Sequence, residues 1–372
     1  MAESGDHQKI IPVPMPVIRE PYHLFADPIR YYNAMIDDIE AAVDYIFIET
    51  YRIGNDVIGT RFKDALIRKA KTGVEIKVLI DAWGSSGVNN SFFDELIRLG
   101  GEVRFFEKIK FNSDVFTRGH KRNHRKLLII DDEITYIGSS NFTEYNLNWR
   151  ESVLRIKSEL TLAFKKVFRQ DWKIYNKYVF AKSNYLRLIR HGGFEIVRDM
   201  PSITKQRIMR RYIHLIRNAV TSVVVVTPYF LPGYMLRKAM VEAVQRGVDV
   251  QVVIPKRSDV GLVDILRNKY MGPLHQSGIR FKMYLPHNLH AKLMLVDNNV
   301  FSVGSSNFDY RSFRYMYEIT LIGNEPALTA QVSDHITFTL ENTEDFDYAV
   351  WARRPLINKF FEWLLLPVRH LL

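Results

Sequence analysis

The sequence predicts an α/β protein built from two similar halves, and three observations support this. Apolar, strand-like runs alternate with helical stretches, an order typical of sheets covered by helices. The same order of elements occurs twice along the chain. Each copy also contains the pattern His-x-Lys-x-x-x-x-Asp, followed by Gly-Ser-Ser-Asn. We therefore expect a duplicated fold with two mostly parallel β-sheets flanked by helices and the active site between the halves.

The elements of the two copies correspond in order. Those of the first copy are a strand at 45–48, a helix over about 59–71 and a strand at 74–81, and those of the second are 223–226, about 234–245 and 248–255. In each copy a glycine, Gly73 or Gly247, separates the helix from the following strand. We expect both glycines to adopt the left-handed conformation that commonly ends a helix.

Length and composition are those of a globular protein with two domains. The chain has 372 residues, of which 47% are hydrophobic and 25% charged, and this length exceeds the usual size of one hydrophobic core. We expect an N-terminal extension, two similar domains and a C-terminal amphipathic, membrane-associating helix, at 1–25, 26–198, 199–345 and 346–372 respectively.

Charge and residue usage limit the possible functions. A formal net charge of +11 favours a polyanionic partner, and both nucleic acid and acidic lipid qualify. The absence of cysteine excludes disulfides, thiolate catalysis and cysteine-ligated zinc. The N-terminal region lacks a secretory signal pattern, and no run reaches the roughly 18–20 apolar residues of a membrane span. We expect a protein of the cytosol or of a membrane surface.

The repeated motif carries the candidate chemistry. Its members are His124, Lys126 and Asp131 in the first copy and His290, Lys292 and Asp297 in the second. The residues between Lys and Asp are apolar, so each motif begins at the mouth of a buried strand, where alternation places His and Lys on one face. The following Gly-Ser-Ser-Asn segments add hydroxyl and amide donors, Ser139 and Asn141 in one copy and Ser305 and Asn307 in the other.

These residue types suit phosphodiester transfer. Two lysines with serine and asparagine donors can surround the non-bridging phosphate oxygens, while one histidine attacks phosphorus and the other protonates the leaving oxygen. The sequence shows no dense carboxylate cluster and no His-Glu-x-x-His pattern that would indicate a metal. We therefore predict neither a metal nor another cofactor.

The doubled motif resembles that of the phospholipase D superfamily, over about 47–318. The resemblance implies a duplicated phospholipase D-like fold and a phosphohistidine intermediate, with His124 as nucleophile and His290 as general acid. It further implies that a carboxylate after each Gly-Ser-x-Asn segment orients an imidazole. Glu151 and Glu318 occupy those places, 27 and 28 residues after the motif histidines. Asp131 and Asp297 are expected to support local structure.

Within the superfamily the sequence is most similar to bacterial cardiolipin synthases. The segments that carry this likeness are Ile48-Glu49-Thr50-Tyr51, Asp81-Ala82-Trp83-Gly84-Ser85, Asn123-His124-Arg125-Lys126, Thr227-Pro228-Tyr229-Phe230-Leu231-Pro232 and Asn307-Phe308-Asp309-Tyr310-Arg311-Ser312. The likeness implies transfer of a phosphatidyl group from phosphatidylglycerol, an anionic phospholipid, to an alcohol such as a second phosphatidylglycerol. The alternatives are a phospholipase D hydrolase and a phospholipase D-family nuclease. Nucleic acid is the less favoured partner because no groove-like interleaving of aromatic and basic residues is seen.

The C-terminal segment is the candidate membrane contact. On a helix, one face would carry Leu356, Ile357, Phe360, Phe361, Leu364 and Leu365. Asn358 and Glu362 would lie opposite, and Trp351 and Trp363 would suit the lipid headgroup level. We expect Pro367 to end this helix. The prediction is a peripheral protein on the cytoplasmic face of the cell membrane, and the alternative is a terminal helix packed on the protein core.

Overall fold

The computed structural model describes residues 18–106, 121–175, 187–202, 204–286 and 288–368. The strands of the first half are β1 (Tyr22–Phe25), β2 (Tyr45–Thr50), β3 (Glu75–Asp81), β4 (Glu102–Phe106), β5 (Arg122–Asn123), β6 (Leu127–Ile130), β7 (Ile134–Gly138) and β8 (Val153–Lys157). Its helices are α1 (Pro28–Ala41), α2 (Val57–Lys71), α3 (Asp94–Arg98) and α4 (Leu160–Ile174). All of these strands except β5 form one sheet, in the order β1-β8-β7-β6-β2-β3-β4.

The later part of the chain builds a second sheet on the same plan. The strands of this part are β9 (Ile189–His191), β10 (Phe194–Asp199), β11 (Ser222–Val226), β12 (Phe230–Leu231), β13 (Asp249–Pro255), β14 (Arg280–Tyr284), β15 (Leu293–Val296), β16 (Val300–Gly304), β17 (Phe308–Asp309), β18 (Met316–Gly323) and β19 (Thr343–Asp345), of which β12 and β17 form a separate two-stranded sheet. Its helices are α5 (Arg207–Asn218), α6 (Tyr234–Gln245), α7 (Gly261–Gln276), α8 (Tyr310–Tyr315), α9 (Pro326–Glu341), α10 (Tyr348–Ala352) and α11 (Leu356–Leu365). The sheet order is β19-β14-β13-β11-β15-β16-β18-β10-β9, and β5 adds to β18.

The duplicated α/β architecture is confirmed, but the sheets are mixed rather than mostly parallel. Parallel pairing is confined to β2-β3-β4 and β11-β13-β14 within the two large sheets, apart from the added β5. The motif strands β6 and β15 pair antiparallel with the strands that follow them. The reason is the connection: three residues, 131–133 or 297–299, join each pair, and so short a link can join only antiparallel neighbours.

Glycines end the first crossover helix of each half as the sequence predicts. Gly73 and Gly247 both have φ of +88°, in the left-handed region. An L side chain there would be strained, whereas glycine adopts this conformation readily. Each glycine thus lets the chain leave its helix and enter a buried strand at once.

The predicted domain boundaries do not coincide with the division between the sheets. The boundary between 198 and 199 falls inside β10, which pairs with β18 of the second sheet. The predicted N-terminal extension ends in β1, which pairs with β8 of the first sheet. The halves also share a core, because Phe164 and Phe168 of α4 belong to one apolar cluster with Val332 and Ile336 of α9.

The C-terminal segment lies on α7 through its polar side. Glu362 is only 2% exposed, and Arg354 donates to both of its carboxylate oxygens, at 2.6 and 2.8 Å. Leu365 packs against the core of the second half. The indole of Trp351 donates to the carbonyl of Asn268 on α7 at 3.0 Å, so Trp351 is anchored in the protein and not at a headgroup level as predicted.

The opposite side of α11 is apolar and exposed. Its exposed large side chains are Leu356, Ile357, Phe360, Phe361, Trp363 and Leu364, with Leu356 exposed by 79%. This is the face that sequence periodicity predicts, except that Leu365 is absent from it and Trp363 is added. The helix ends at Leu365 and a 3₁₀ turn containing Pro367 follows. In the described residues no helix is long and apolar enough to cross a membrane.

Candidate active site

Each motif is held in place by the backbone of the other half. The amide of His124 donates to the carbonyl of Tyr317 at 3.0 Å, and the amide of His290 donates to the carbonyl of Arg150 at 2.8 Å. The segment before β6 therefore runs beside β18, and the segment before β15 runs beside the residues that precede β8. This exchange brings the two histidines, 166 positions apart in the sequence, to the same cavity.

The orienting glutamates serve the histidine of the opposite half. Nδ1 of His124 lies 2.9 Å from Oε1 of Glu318, and Nδ1 of His290 lies 2.9 Å from Oε2 of Glu151. A carboxylate at Nδ1 holds the proton on that nitrogen and leaves Nε2 free to react. The spacing in the sequence gives the candidate carboxylates but not this crossing.

The motif lysines are buried beside their histidines. Nζ of Lys126 donates to the carbonyl of His124 at 2.7 Å, and Nζ of Lys292 donates to that of His290 at 2.8 Å. Burial lowers the pKa of Lys126 to about 7 and that of Lys292 to about 8, against the opposing effect of the nearby glutamates. Binding of an anionic phosphate would favour the charged form of both lysines.

The serines that follow the motifs bind the glutamates, whereas the sequence predicts that they bind phosphate. Oγ of Ser139 donates to Glu151, and Oγ of Ser305 donates to Glu318. Each hydroxyl also accepts a backbone amide, Ser152 N at 2.8 Å and Ile319 N at 3.1 Å. A hydroxyl has one proton to donate, so these serines fix the carboxylates and have no second donor for the substrate.

The predicted asparagines do face the cavity. Asn141 and Asn307 both line it, and their buried Oδ1 atoms have no hydrogen-bond partner among the described residues. Buried polar groups are normally satisfied. These amides are therefore the strongest side-chain candidates for substrate contact after the histidines and lysines.

Asp131 and Asp297 lie at the opposite end of the motif strands. The carboxylate of Asp131 accepts three backbone amides at 43–45, at 2.9–3.1 Å. That of Asp297 accepts three backbone amides at 220–222, at 2.7–3.1 Å. Each aspartate ties a hairpin turn to the start of the neighbouring strand, which is the geometry of a structural residue.

The cavity between the halves has a volume of about 270 Å³. Besides the histidines and asparagines, its lining includes Tyr51, Arg52, Tyr145, Asn146, Trp149, Tyr229, Asp259, Val260, Val263, Asp309, Arg311, Ser312 and Met316. The sequence analysis did not predict that any of these residues would line the active-site cavity. Tyr51 and Tyr229 had a usable signal, because each follows the first strand of its repeat.

Burial and charge act differently on the two histidine–glutamate pairs. Burial, with the charge of Lys126, lowers the pKa of His124 well below its ordinary value. Burial also lowers the pKa of His290, but there Glu151 opposes the shift. Burial raises the pKa of Glu318 to about 7, whereas His290 and Lys292 outweigh burial at Glu151 and lower its pKa. Glu151, beside His290, therefore keeps its negative charge to lower pH than Glu318, beside His124.

A buried arginine next to the first motif was also missed. Arg125, between His124 and Lys126, donates to the carbonyl of Glu318 at 3.2 Å and forms an ion pair with Asp171. It was overlooked because motif reasoning treats this position as variable.

No group of three or more His, Asp or Glu side chains in the described part of the chain could hold a metal ion.

The chain matches known proteins over most of its length. The family model described as cardiolipin synthase, phospholipase D-like domain, matches residues 35–172 and 212–338. A cardiolipin synthase of Listeria welshimeri is 33% identical over 352 residues, covering 91% of this chain and 73% of the relative. The major cardiolipin synthase of Bacillus subtilis is 31% identical with the same coverage.

Solved structures agree on the fold. A phosphatidylserine synthase of Haemophilus influenzae superposes with a TM-score of 0.75 at 14% identity, covering 95% of this chain and 96% of the other. A polyphosphate kinase of Porphyromonas gingivalis gives a TM-score of 0.63 at 12% identity, covering 96% and 56%.

Paired motifs from two halves, facing one cavity, define an enzyme of phosphodiester chemistry. With the family match, the chain belongs to the phospholipase D superfamily and within it to the cardiolipin synthase family. It is a phosphatidyltransferase of the cardiolipin synthase type.

Proposed function

We propose that the protein transfers a phosphatidyl group from one phosphatidylglycerol to a second, through a phosphohistidine on His124. The observation that carries the proposal is the pair of histidines at one cavity, each oriented by a glutamate of the other half. The names of the relatives supply the substrate class, an anionic phospholipid.

The reaction needs two balanced steps. In the first, Nε2 of His124 bonds to phosphorus while the bond to the glycerol oxygen breaks, and His290 gives that oxygen a proton. In the second, a hydroxyl of another phosphatidylglycerol bonds to phosphorus, the phosphorus–nitrogen bond breaks, and His290 takes the hydroxyl proton. Lys126 and Lys292 neutralise the phosphate, and the amides of Asn141 and Asn307 bind its oxygens.

The different surroundings of the histidines support this division of roles. A nucleophile must be unprotonated at Nε2, and the strongly lowered pKa of His124 keeps it so. A general acid must hold a proton, and Glu151, with both oxygens within 3.0 Å of Nδ1, stabilises the protonated form of His290.

A product assay tests the function. Purified protein is incubated with labelled phosphatidylglycerol, phosphatidylethanolamine or single-stranded DNA, with and without added glycerol. We expect cardiolipin and free glycerol from phosphatidylglycerol, and reversal when glycerol is added. Phosphatidic acid as the main product would identify a hydrolase instead, and cleaved DNA with intact lipid would identify a nuclease.

The exposed face of α11 supports attachment to an anionic membrane, and we place the protein on its cytoplasmic face. Glu362 and Leu365 of α11 are turned inward, and its other large apolar side chains are exposed, which favours membrane attachment over the alternative of a helix that buries its apolar residues in the core. α11 packs on α7, and Val263 of α7 lines the cavity. The membrane-facing helix and the catalytic cavity thus share one supporting helix.

Surface substitutions test the attachment without disturbing the core. Leu356, Phe360 and Trp363 are exposed, so replacing all three by serine should leave the melting temperature unchanged. The variant should sediment less with phosphatidylglycerol liposomes and keep its activity on a short-chain soluble substrate. Truncation after Asp347 should have the same effect on sedimentation, and binding of the intact protein should weaken with salt. A fall in melting temperature with unchanged sedimentation of the serine variant would show that the helix is structural.

A further inference from the structure

The cavity has opposite charges beside its two histidines. Burial lowers the pKa of both histidines, and the charge of Arg311 adds to this effect at His124, whereas that of Asp259 opposes it at His290. Both side chains line the cavity. A carboxylate in a site for anionic phosphate is unfavourable unless it faces a neutral, hydrogen-bond-donating part of the substrate.

The carboxylate of Asp259 is held by a partly buried tyrosine. The hydroxyl of Tyr229 donates to Oδ1 of Asp259 at 2.7 Å. Burial raises the pKa of Tyr229 well above its ordinary value, so the phenol stays a donor. Asp259 is exposed at the cavity, and Oδ2 of its carboxylate accepts no hydrogen bond from the described residues. A carboxylate can only accept, so this oxygen is available to a substrate hydroxyl.

Asp259 does not stabilise the adjoining helix. It stands two positions before α7 (Gly261–Gln276), where aspartate often caps a helix by accepting its first amides. Here the helix has no side-chain cap, and the nearby loop is closed by the amide of Ser258 donating to Asp264 at 2.9 Å. The hydrogen-bond partner of Asp259 is instead Tyr229, which also lines the cavity.

We propose that Asp259, positioned by Tyr229, accepts a hydrogen bond from a hydroxyl of the glycerol headgroup beside His290. This contact would select a polyol both as the leaving group and as the acceptor. This rests on the proposed function. In the second step the reacting hydroxyl gives its proton to His290 as its oxygen bonds to phosphorus and the phosphorus–nitrogen bond breaks. The neighbouring hydroxyl, which takes no part in the bond changes, donates to Asp259. Water and monohydric alcohols lack that second hydroxyl.

A competition between acceptors tests this inference. The enzyme is given phosphatidylglycerol with equal concentrations of isotope-labelled glycerol and 1-propanol, and the ratio of the two phosphatidyl products is measured. The wild type should favour glycerol. Asp259→Ala should lower that ratio by roughly tenfold, as expected for loss of a charge-assisted hydrogen bond. Tyr229→Phe should lower it less, because the carboxylate remains. Asp64→Asn, on the surface of α2, is the matched control.

The outcomes separate three explanations. If Asp259→Ala and Tyr229→Phe slow transfer to both alcohols equally at every pH, the product ratio is unchanged, Asp259 acts only on the charge of His290, and the inference is overturned. A lower ratio in both variants, with unchanged melting temperatures, supports it. A wild type that forms cardiolipin but shows no preference for glycerol over 1-propanol would overturn the inference alone. One that forms neither cardiolipin nor a phosphatidyl product of either alcohol would overturn the proposed function itself, and the inference with it.

Discussion

At the first motif the residue between histidine and lysine is Arg125, and at the second it is Ala291. Both side chains are buried. Arg125 donates to the carbonyl of Glu318 at 3.2 Å, whereas at the second motif His335 donates to that of Glu151 at 2.8 Å. Burial lowers the pKa of His335 to about 3, so this second donor is neutral.

The comparison separates what the chemistry requires from what each half can vary. The motif histidine, lysine, serine and glutamate have the same contacts in both halves. The reason is that the reaction needs from each half a positive charge for the phosphate, a histidine as nucleophile or acid, and a carboxylate that orients this histidine. The supporting contacts differ, as a buried ion pair in one half and a neutral hydrogen bond in the other.

The largest expected effect is the loss of either histidine. His124→Ala and His290→Ala should each reduce turnover by about a thousandfold or more, because the two residues act as one unit. A labelled phosphatidyl adduct, trapped by rapid denaturation at mildly alkaline pH because the phosphorus–nitrogen bond is acid-labile, should form on His124. His214→Ala, on the surface of α5, is the control. An adduct on His290 would keep the chemistry but reverse the roles of the two halves.

Removal of the buried arginine should be the next largest effect, on stability. Arg125→Ala removes the arginine that forms an ion pair with the buried carboxylate of Asp171, and removing one member of a buried ion pair typically costs about 3–5 kcal/mol in the free energy of unfolding. Arg68→Ala, which breaks an exposed pair with Glu40, should cost about 0–1 kcal/mol. Chemical denaturation measures both. Equal, small changes would mean that the difference between Arg125 and Ala291 is not structurally important.

The pH profile should distinguish the two glutamates. Activity requires neutral His124 and protonated His290, so it falls on the acid side through the first group and on the alkaline side through the second. Glu151 raises the pKa of His290, and Glu151→Gln should therefore move the alkaline limb to lower pH. Glu318→Gln should leave that limb in place, since Glu318 faces His124. The same shift in both variants would contradict the assignment of His290 as the acid.

The sequence predicted the parts of the molecule that repeat. The motif residues, the buried strands and the glycines at 73 and 247 were predicted because each has a counterpart in the other half. The crossing of Glu151 and Glu318 was not, because a spacing of 27 or 28 residues says nothing about which half supplies the partner. The serines were given the wrong contact for a related reason: a hydroxyl near a phosphate site suits a phosphate and a carboxylate equally well.

Single residues without a counterpart were the hardest to find. The position equivalent to Arg125 in the second repeat is occupied by Ala291, so comparison of the two halves does not indicate a role for the arginine. Asp259 lies in a loop, and its role depends on a tyrosine 30 positions earlier in the sequence. The inward turn of Glu362 could not be predicted either, because a helix period shows which residues share a face but not which face packs on the protein.

The smallest expected effect is that of chelation, and it tests the feature in which the halves agree. Each half supplies one buried lysine, and together Lys126 and Lys292 provide the positive charge that a divalent ion supplies in other phosphoryl-transfer enzymes. Activity on a short-chain soluble substrate should therefore be unchanged after extensive treatment with EDTA. The soluble substrate matters, because divalent ions also screen the charge of anionic lipid surfaces and could alter activity on vesicles. Lys126→Met and Lys292→Met should each lose most activity, and added magnesium should not restore it. Activity lost on chelation and restored only by a divalent ion would show that the two lysines are not sufficient.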